Sequence, residues 1–551
     1  MKKFVCIICA LAMILATFSG CGQSTDLPGE SVMQSTAESG IKINDGYPLV
    51  DETVTLRMVV KKMPDSGSFS EMPFIKNYEA LTNVHIEWEE IPYAVFEEKK
   101  NLLLASGDLP DAFFNNTLSA YDVAVYGPQG YLLPLNDYIN EDITPNLVRV
   151  FEQRPEAKAL STLSDGNIYT LPYIEEMGII HVRTLFYINK TWLDKLNLSV
   201  PTTTDEYLDV LRAFRDNDPN GNGKKDEIPY SGVYESNPEV IPDRSFYNLF
   251  GAFGRADNKE HIVIENGKVV FTADKEEFKK AIKYLNTMYS EGLMDPEFFT
   301  QDRTQFSAKG NNEDNIIGSM TVWRDFQIVG KERAEADFIP IAPLKGPDGA
   351  QIWGRENNSE VRSHIFAMSS SNPYPELTMR WVDGLYDEMR SIEMNWGVLD
   401  DVLIKDDEGI YYTDYTDKSG KGLTQSEVRH HNTPGNAGDG TPCAVLMDVY
   451  DRLVRMESGG AGRKEILDEI YAKYVPDESI PELNFTIEDS ELLNGIKMDL
   501  IDYVNEMTVK WVTKGGIDND WDNYLSNLQA YRLEEYLRIN QNAYDTYLSN
   551  Q

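Results

Sequence analysis

The stretch Val54-Thr-Leu-Arg-Met-Val-Val-Lys61 begins a run of secondary-structure patterns that decides the fold class. Its apolar residues alternate and then run together, which is typical of a sheet strand. The patterns that follow predict a helix over 71–81, a strand over Val84–Ile91, a helix over Val95–Ser106 and a short buried strand over Ala112–Asn115. Strand, helix, strand, helix, strand in this order predicts an α/β layer with mainly parallel pairing.

Helical patterns become more frequent further along the chain. A helix is predicted from Thr203, with Glu206 in the right place for a capping box. Apolar residues at helical spacing predict another helix over Lys275–Ser290, and helical periodicity dominates from residue 476 to Tyr547. The chain has 551 residues, which is enough for about two to four lobes with ample core.

Oxygen-bearing side chains recur at alternate positions of the loop 216–227, the arrangement in which a chain winds around calcium. Gly223 falls at the sixth position counted from Asp218, where an EF-hand turns sharply, and the next residue offers only its carbonyl. A second register starting at Asp216 also fits, and a metal-free turn is the alternative to both. The preferred register predicts a structural Ca²⁺ ion bound by Asp218, Asn220, Asn222, Lys224, Asp226 and Glu227.

Residues 1–20 have the layout of a bacterial lipoprotein signal peptide. A positively charged start precedes the apolar run Phe4–Phe18, which is too short for a comfortable membrane span, and Cys21 follows closely. This layout resembles a lipobox, whose cysteine receives the lipid, although Phe18 stands where leucine is usual. A plain secretory peptide cut near Ser19 is the alternative. The resemblance implies a protein held by an acyl chain, such as palmitate, at Cys21 on the extracellular face of the cell membrane.

The composition behind the signal peptide limits the partners of the chain. Removal of the signal takes away two lysines and no acid, so the net charge changes from −39 to −41. Such a charge excludes nucleic acid as a default partner and disfavours binding to anionic lipid headgroups. Cys443 is then the only cysteine besides Cys21, so no internal disulfide is expected. Residues 21–52 are rich in Ser, Thr, Gly and Gln and predict a flexible tether.

The sequence lacks the motifs of several enzyme classes: the zinc-binding His-Glu-x-x-His, the phosphate-binding glycine loop, the nucleophile elbow and the dinucleotide fingerprint. His430-His431 lies in a context that predicts a solvated loop, and Cys443 is predicted to be a small buried thiol. Aromatic residues at strand ends or in turns would stack on sugar rings in a cleft, and neighbouring arginines would hold polar groups, unless each is a core residue. These candidate ligand contacts are Tyr173, Trp323, Arg324, Trp353, Arg355 and Trp396.

Motifs spread from end to end resemble those of the family 1 extracellular solute-binding proteins of ABC importers, especially the long Gram-positive lipoproteins and the alginate-oligosaccharide binders. The metal loop of the alginate binders reads Asp-x-Asn-x-Asn-x-Lys-x-Asp-Glu, which residues 218–227 match. The order of the motifs carries the resemblance, from about residue 53 to the end. The other matching motifs are Ala105–Phe113, Tyr187–Lys190 with Trp192-Leu193, Pro201–Glu206, Pro343–Gly349, Asn395–Gly397, Pro481–Thr486 and Gln541–Tyr544.

This resemblance implies an α/β fold of the two-lobed, hinged type II periplasmic-binding-protein class, with a helix-rich C-terminal part. One lobe is expected to combine 53–187 with 360–398. The other is expected to combine 188–359 with 399–551 and to hold the calcium loop. A monomer of this kind performs no covalent chemistry, captures an oligosaccharide between its lobes and delivers it to permease subunits.

Two other functions stay open at this point. The same aromatic residues would serve as subsites of a secreted enzyme acting on polysaccharide, such as a glycosidase or a lyase. A sensor that passes lobe closure to a membrane receptor would have the same architecture. The ligand also stays open between a neutral or acidic oligosaccharide, a peptide and a small polyol, because the sugar-contacting residues of the family lie in variable loops.

Overall fold

The structure is a computed structural model, and the residues that it describes include neither the predicted signal peptide over 1–20 nor Cys21. None of the helices in these described residues combines the length and apolar composition that a membrane span requires. The described residues are 40–63, 66–115, 117–176, 182, 184–234, 245–355, 360–405, 409, 411–423, 425–435, 440–454 and 461–551.

Thirteen strands and nineteen α-helices can be followed in this part of the chain. The strands are β1 Val54–Lys62, β2 Val84–Pro92, β3 Ala112–Phe114, β4 Thr170–Glu175, β5 Leu185–Asn189, β6 Ile262–Glu265, β7 Lys268–Phe271, β8 Ser319–Val322, β9 Phe338–Pro340, β10 Val361–Met368, β11 Leu403–Lys405, β12 Tyr411–Thr413 and β13 Ala444–Val445.

The helices alternate with strands early in the chain and follow one another at its end. They are α1 Pro73–Thr82, α2 Phe96–Ser106, α3 Ala120–Tyr126, α4 Pro145–Gln153, α5 Pro155–Ser161, α6 Lys190–Lys195, α7 Thr204–Asp216, α8 Glu276–Ser290, α9 Arg303–Gly310, α10 Phe326–Val329, α11 Lys331–Asp337, α12 Pro375–Asp383, α13 Glu388–Trp396, α14 Gln425–Asn432, α15 Met447–Leu453, α16 Ala461–Ile466, α17 Ile487–Lys514, α18 Ile517–Ala530 and α19 Leu533–Asn550.

The first sheet has six strands in the order β13-β4-β10-β3-β1-β2. β1 pairs in parallel with β2 and β3, as the sequence pattern predicts, and β10 is antiparallel to both β3 and β4. Met58 and Val60 are buried in the hydrophobic cluster that forms the first core, whereas Val59 between them is buried in another cluster. Both faces of β1 are therefore covered, which explains why its alternation gives way to a continuous apolar run.

A second core surrounds the antiparallel sheet β8-β5-β9. β5 contributes Phe186 and Ile188, which are buried completely, and α7, α8 and the C-terminal helices cover the sheet with apolar faces. The capping box predicted at the start of α7 is confirmed, because Thr203 accepts from the Glu206 amide while the Glu206 side chain accepts in return. The last three helices, α17 to α19, pack into this core and confirm the helix-rich C-terminal part.

The predicted division of the chain between the lobes is wrong for residues 399–454. β13 pairs in parallel with β4 of the first sheet, and Leu403, Val449 and Tyr450 are buried in the first core. A two-residue strand leaves no periodicity in the sequence, so its position at a sheet edge depends on long-range pairing alone. Only the later part of the predicted segment, from Leu467 onwards, packs in the second core.

The predicted tether over 21–52 is too long at its C-terminal end. Leu49 and Val50 are buried in the first core, and Val50 bridges Ile43 in an antiparallel pair. The Leu49 amide also donates to the Thr82 carbonyl at the end of α1. The polar composition of residues 21–52 gave no indication of these two buried residues, which attach the start of the described chain to the first core.

Candidate functional site

The two cores meet where the chain passes between them. It leaves the first core after Ile174 and enters the second at Val182. It returns between Trp353 and Val361, and it crosses again between Val454 and Leu467. The first two crossovers begin and end at one edge of the first sheet, because β4 ends and antiparallel β10 begins there. In open α/β sheets a crevice outside the carboxyl ends of the strands is the usual ligand site.

Trp323 lies at this junction and belongs to the part of the chain that forms the second sheet. It follows β8, whose last residue pairs with the first residue of β5, immediately after the first crossover. The indole is half-buried and packs against apolar residues of the first core, although its strand belongs to the second sheet. Among the predicted ligand contacts it is therefore the aromatic residue that lies between the two cores.

Arg463 holds this tryptophan in position. Its guanidinium carbon lies 3.7 Å from the centroid of the Trp323 ring, the distance of a close cation–π contact. One terminal nitrogen donates to the Trp323 carbonyl at 2.6 Å, and the other donates to the Val182 carbonyl. Arg463 is buried, with an exposed fraction of 1%. The indole, β8 and the first crossover are thus joined by one side chain that the sequence did not reveal.

Arg324 is half-buried beside Trp323, and the negative charge of Asp325 lies close to its guanidinium. Its Nε lies 3.6 Å from the carboxylate of Asp325, and its guanidinium lies over the Phe326 ring at 5.4 Å. Burial raises the pKa of Asp325 despite this arginine. The same neighbourhood raises the pKa of Tyr187 through burial and the nearby Asp325. This edge of the second sheet therefore offers an aromatic face beside an opposed pair of charges.

The other predicted aromatic contacts are committed to internal packing, which contradicts their assignment to the ligand. Trp353 is stacked on Phe186, and its Nε1 donates to the Thr184 carbonyl at 2.9 Å. Trp396 packs against Tyr450 in the first core. Both indoles have an exposed fraction of 1%, so these aromatic residues fill the cores.

Tyr173 and Arg355 are likewise used within the protein. The buried Tyr173 hydroxyl donates to Glu175 at 2.7 Å, and burial raises its pKa well above the usual range. Arg355 donates to the carbonyls of Asp477 and Pro476 at 2.9 and 3.3 Å. Its pKa is lowered by burial. The Tyr173 hydroxyl is therefore committed inside the protein, whereas the assignment of Arg355 to the ligand stays a prediction.

Two further sequence expectations have clear outcomes. Cys443 is buried, and desolvation raises its pKa to about 12, so the prediction of a small buried thiol is confirmed. His430 and His431 belong to α14 rather than to a solvated loop. The His430 carbonyl accepts from the Gly67 amide, and His431 lies against the same glycine, so α14 packs on the segment that follows β1.

The loop after α7 is folded around Asp218. Its carboxylate accepts hydrogen bonds from the backbone amides of Gly221, Asn222 and Gly223 at 2.8 to 3.0 Å. Both glycines have positive φ angles, 79° and 74°, which a residue with a Cβ rarely adopts. The turn that the calcium prediction requires at Gly223 is therefore present.

Negative oxygens converge inside this loop. The side-chain amides of Asn220 and Asn222 both donate to Asp226 at 3.1 Å. Oε1 of Glu227 is buried without a hydrogen-bond partner. The pKa of Glu227 is raised by burial and by the nearby charges of Asp226 and Asp218. A buried carboxylate oxygen without a donor is the environment that a hard cation satisfies.

The arrangement favours the register that starts at Asp218. Both carboxylate oxygens of Asp216 pair with the guanidinium of Arg215, at 2.7 and 2.8 Å. Asp216 is therefore engaged by its neighbour in α7 rather than by the residues of the turn. The Lys224 ammonium pairs with Asp314, which leaves only its backbone carbonyl for a cation. No three Asp, Glu, His or Cys side chains in the described ranges come together as metal ligands. Calcium would therefore depend on the two asparagine amides and a carbonyl as well as on the carboxylates.

Comparison with known proteins identifies the family. Residues 61–387 match the family model described as bacterial extracellular solute-binding protein. The chain is also 34% identical over 517 residues to the fructooligosaccharide ABC transporter substrate-binding protein FusA of Streptococcus pneumoniae, with 92% of each chain covered. The chain belongs to the bacterial extracellular solute-binding proteins. The predicted family is therefore confirmed.

Solved structures of this family support the fold. FusA in complex with kestose superposes with a TM-score of 0.77 at 33% identity, over 90% of this chain and all of that one. A structure described as a FusA EF-hand mutant in complex with fructo-nystose gives the same score. The alginate-binding protein AlgQ2, in a structure without calcium ion, gives 0.68 at 25% identity over 92% of this chain. The two-lobed type II fold predicted from the sequence is thus confirmed.

Removal of the Arg463 side chain tests its part in holding the junction. Arg463→Ala is expected to lower the free energy of unfolding by about 2–4 kcal/mol, because two carbonyl groups lose their donor. Arg538→Ala is the control, since Arg538 is 53% exposed and pairs with Glu535 at 3.7 Å; its loss should lie within about 1 kcal/mol. Urea denaturation followed by fluorescence measures both, and equal losses would contradict the role of Arg463.

Proposed function

We propose that this solute-binding protein captures a fructooligosaccharide between its two lobes and delivers it unchanged to the permease of an ABC importer. The observation that carries the proposal is the 34% identity to FusA over 92% of both chains, together with the similarity to its kestose complex. Coverage of that extent includes both lobes and the crossovers, which supports a shared mode of ligand capture.

The junction between the cores supports a carbohydrate ligand. Trp323 offers an aromatic surface of the kind that stacks on sugar rings, and Arg463 and the first core hold it without a loss of side-chain freedom on binding. The neighbouring Arg324 is balanced by Asp325 at 3.6 Å. A neutral sugar is therefore a better match to this edge than an acidic one, because it requires no unpaired cation.

Closure follows from differential affinity. A sugar that contacts both lobes stabilises the closed form, and the crossovers absorb the rotation between lobes. We assign 41–175 and 361–454 to the first lobe and 182–353 and 467–551 to the second, on the basis of the two cores. No covalent step is required for this function, which separates it from the polysaccharide-acting enzyme.

Kestose binding tests this proposal. We expect saturable quenching of tryptophan fluorescence by kestose, with the sugar recovered intact by chromatography, and weaker or no binding of an oligogalacturonide. Trp323→Ala should lower the affinity about 10-fold or more, because a central aromatic contact is lost. Tyr131→Ala is the control, since this half-buried aromatic residue packs on Tyr126 beside the opposite end of β10. Cleavage of kestose, or an equal effect of both substitutions, would contradict the proposal.

We also propose that the loop 216–227 binds one structural Ca²⁺ ion in the Asp218 register. The orphaned oxygen of Glu227 and the converging carboxylates of Asp218 and Asp226 support it, as do the similar proteins described by an EF-hand and by calcium. Asn220 and Asn222 would add amide oxygens, and Lys224 a carbonyl. A bound divalent cation would neutralise these charges and stabilise the segment that follows α7.

Calcium addition and chelation test the loop. Calcium at 100 times its Kd should stabilise the protein by about 2.7 kcal/mol, and a chelator should reverse the resulting rise in Tm. Asp218→Ala should abolish the response to calcium, whereas Asp216→Ala should keep it, because Asp216 is paired with Arg215. In the alternative register Asp216 is the first ligand and Asp218 the third. Loss of the response in both variants would therefore show that this register is used.

We further propose that a lipid at Cys21 holds the protein on the extracellular side of the cell membrane, as the lipobox-like layout of residues 1–21 indicates. Cys21→Ala should move the protein from the membrane fraction to the culture medium of a bacterium that exports it. Cys443→Ala is the matched control and should leave the protein with the membrane. Release of both variants, or of neither, would contradict the lipid anchor.

A further inference from the structure

Arg154 lies between α4 and α5 and binds three carboxylates at once. Its Nε pairs with Glu156, one terminal nitrogen pairs with Glu176, and the other donates to Glu360 at 2.9 Å. The arginine side chain is 14% exposed, and the three glutamates are between 19% and 29% exposed. Charge-assisted pairs that are mostly shielded from water are stronger than those on an open surface.

Two of these carboxylates come from the crossovers themselves. Glu176 directly follows β4, where the chain leaves the first sheet, and Glu360 directly precedes β10, where it returns. The backbone joins them as well, because the Glu175 amide donates to the Glu360 carbonyl at 2.9 Å. One guanidinium therefore links the outgoing and returning segments at their point of attachment to the first lobe.

The third crossover is connected to the same cluster. The second carboxylate oxygen of Glu176 accepts from the Met447 amide at the start of α15, and the Glu176 amide donates to the Val445 carbonyl. α15 ends at Leu453, shortly before the chain crosses for the last time. The attachment points of all three crossovers to the first lobe are thus connected through Glu176 and its hydrogen bonds.

Side chains from the second crossover and from the second lobe lie close to the Arg154 cluster. Arg355 lies close enough to Glu360 to affect its pKa, and it also binds the Asp477 and Pro476 carbonyls before α17. The charges of Glu156 and Arg154 both affect the pKa of Tyr547 in α19. Without Arg154, Glu156, Glu176 and Glu360 would repel one another at the place where the lobes are joined.

We propose that Arg154 is a positioning residue of the hinge: it sets the angle at which the crossovers leave the first lobe, and so the balance between open and closed forms. It acts without contact with the ligand. The part of this inference that concerns sugar affinity rests on the proposed function, whereas the part that concerns the ligand-free form does not.

Distance measurements between the lobes test the proposal. Spin labels are placed at the exposed positions Lys99 and Asp205 through Lys99→Cys and Asp205→Cys, in the chain that lacks residues 1–21. Cys443 is buried and does not take up the label. Arg154→Ala is expected to shift or broaden the ligand-free distance distribution and to change the Kd for kestose at least 5-fold.

Arg149→Ala is the matched control. Arg149 also lies in the α4 region, donates to the Tyr386 carbonyl at 2.9 Å and faces Glu388, but its partners lie within the first lobe. It should lower Tm without a change in the interlobe distances. If Arg154→Ala also lowers Tm but leaves both the distances and the Kd as in the unsubstituted protein, Arg154 is structural only and the proposal is wrong.

Further variants keep the test decisive. Glu360→Gln removes one pair while Arg154 keeps the other two, so it should shift the distances in the same direction by a smaller amount, even where Arg154→Ala fails to fold. An unchanged distribution in Glu360→Gln, with Arg154→Ala unfolded, overturns the proposal. If kestose binds neither protein, the proposed ligand is wrong, and the ligand-free distances alone decide the role of Arg154.

Discussion

Strand β10 is the constraint on which the rest of this structure depends. It lies between β3 and β4 in the first sheet, although the second sheet β8-β5-β9 and the separate pair β6-β7 come before it in the chain. β3 and β4 share no hydrogen bonds of their own, so the first sheet is incomplete until β10 is inserted. The two lobes are for this reason parts of one fold rather than independent domains, and their connections meet at one sheet edge.

This constraint places the functional features of the chain. The crossovers leave from the edge where β4 ends and β10 begins, so Trp323 at the entrance to the second sheet lies against the first core. Arg463 contacts this tryptophan and the first crossover. The oxygen-rich loop after α7 lies elsewhere, in the lobe built on the second core. The proposed cation site and the proposed ligand site are therefore in different parts of the chain.

Sequence patterns predicted the candidate site unevenly. The alternation of oxygen ligands around Asp218 is local, and a local loop carries its geometry in its own residues, so its glycine turn and its inward carboxylate were predictable. Aromatic residues predicted at strand ends or in turns were a weaker indication of the ligand site. Trp353 and Trp396 share this pattern with Trp323, yet both fill cores, because exposure depends on neighbours that are distant in sequence.

The sequence by itself determined the strand–helix alternation around β1, the helix-rich end, the oxygen-rich loop and the order of family motifs, because each of these depends on short-range periodicity or composition. Only the tertiary structure decided that β13 joins the first sheet, that Leu49 and Val50 anchor the supposed tether, and that Arg154 and Arg463 hold the connections between lobes. These features depend on contacts between segments that are up to several hundred positions apart, such as Arg463 and Val182. Burial and pairing across such separations produce no periodic pattern in the sequence, so they can be seen only in the folded structure.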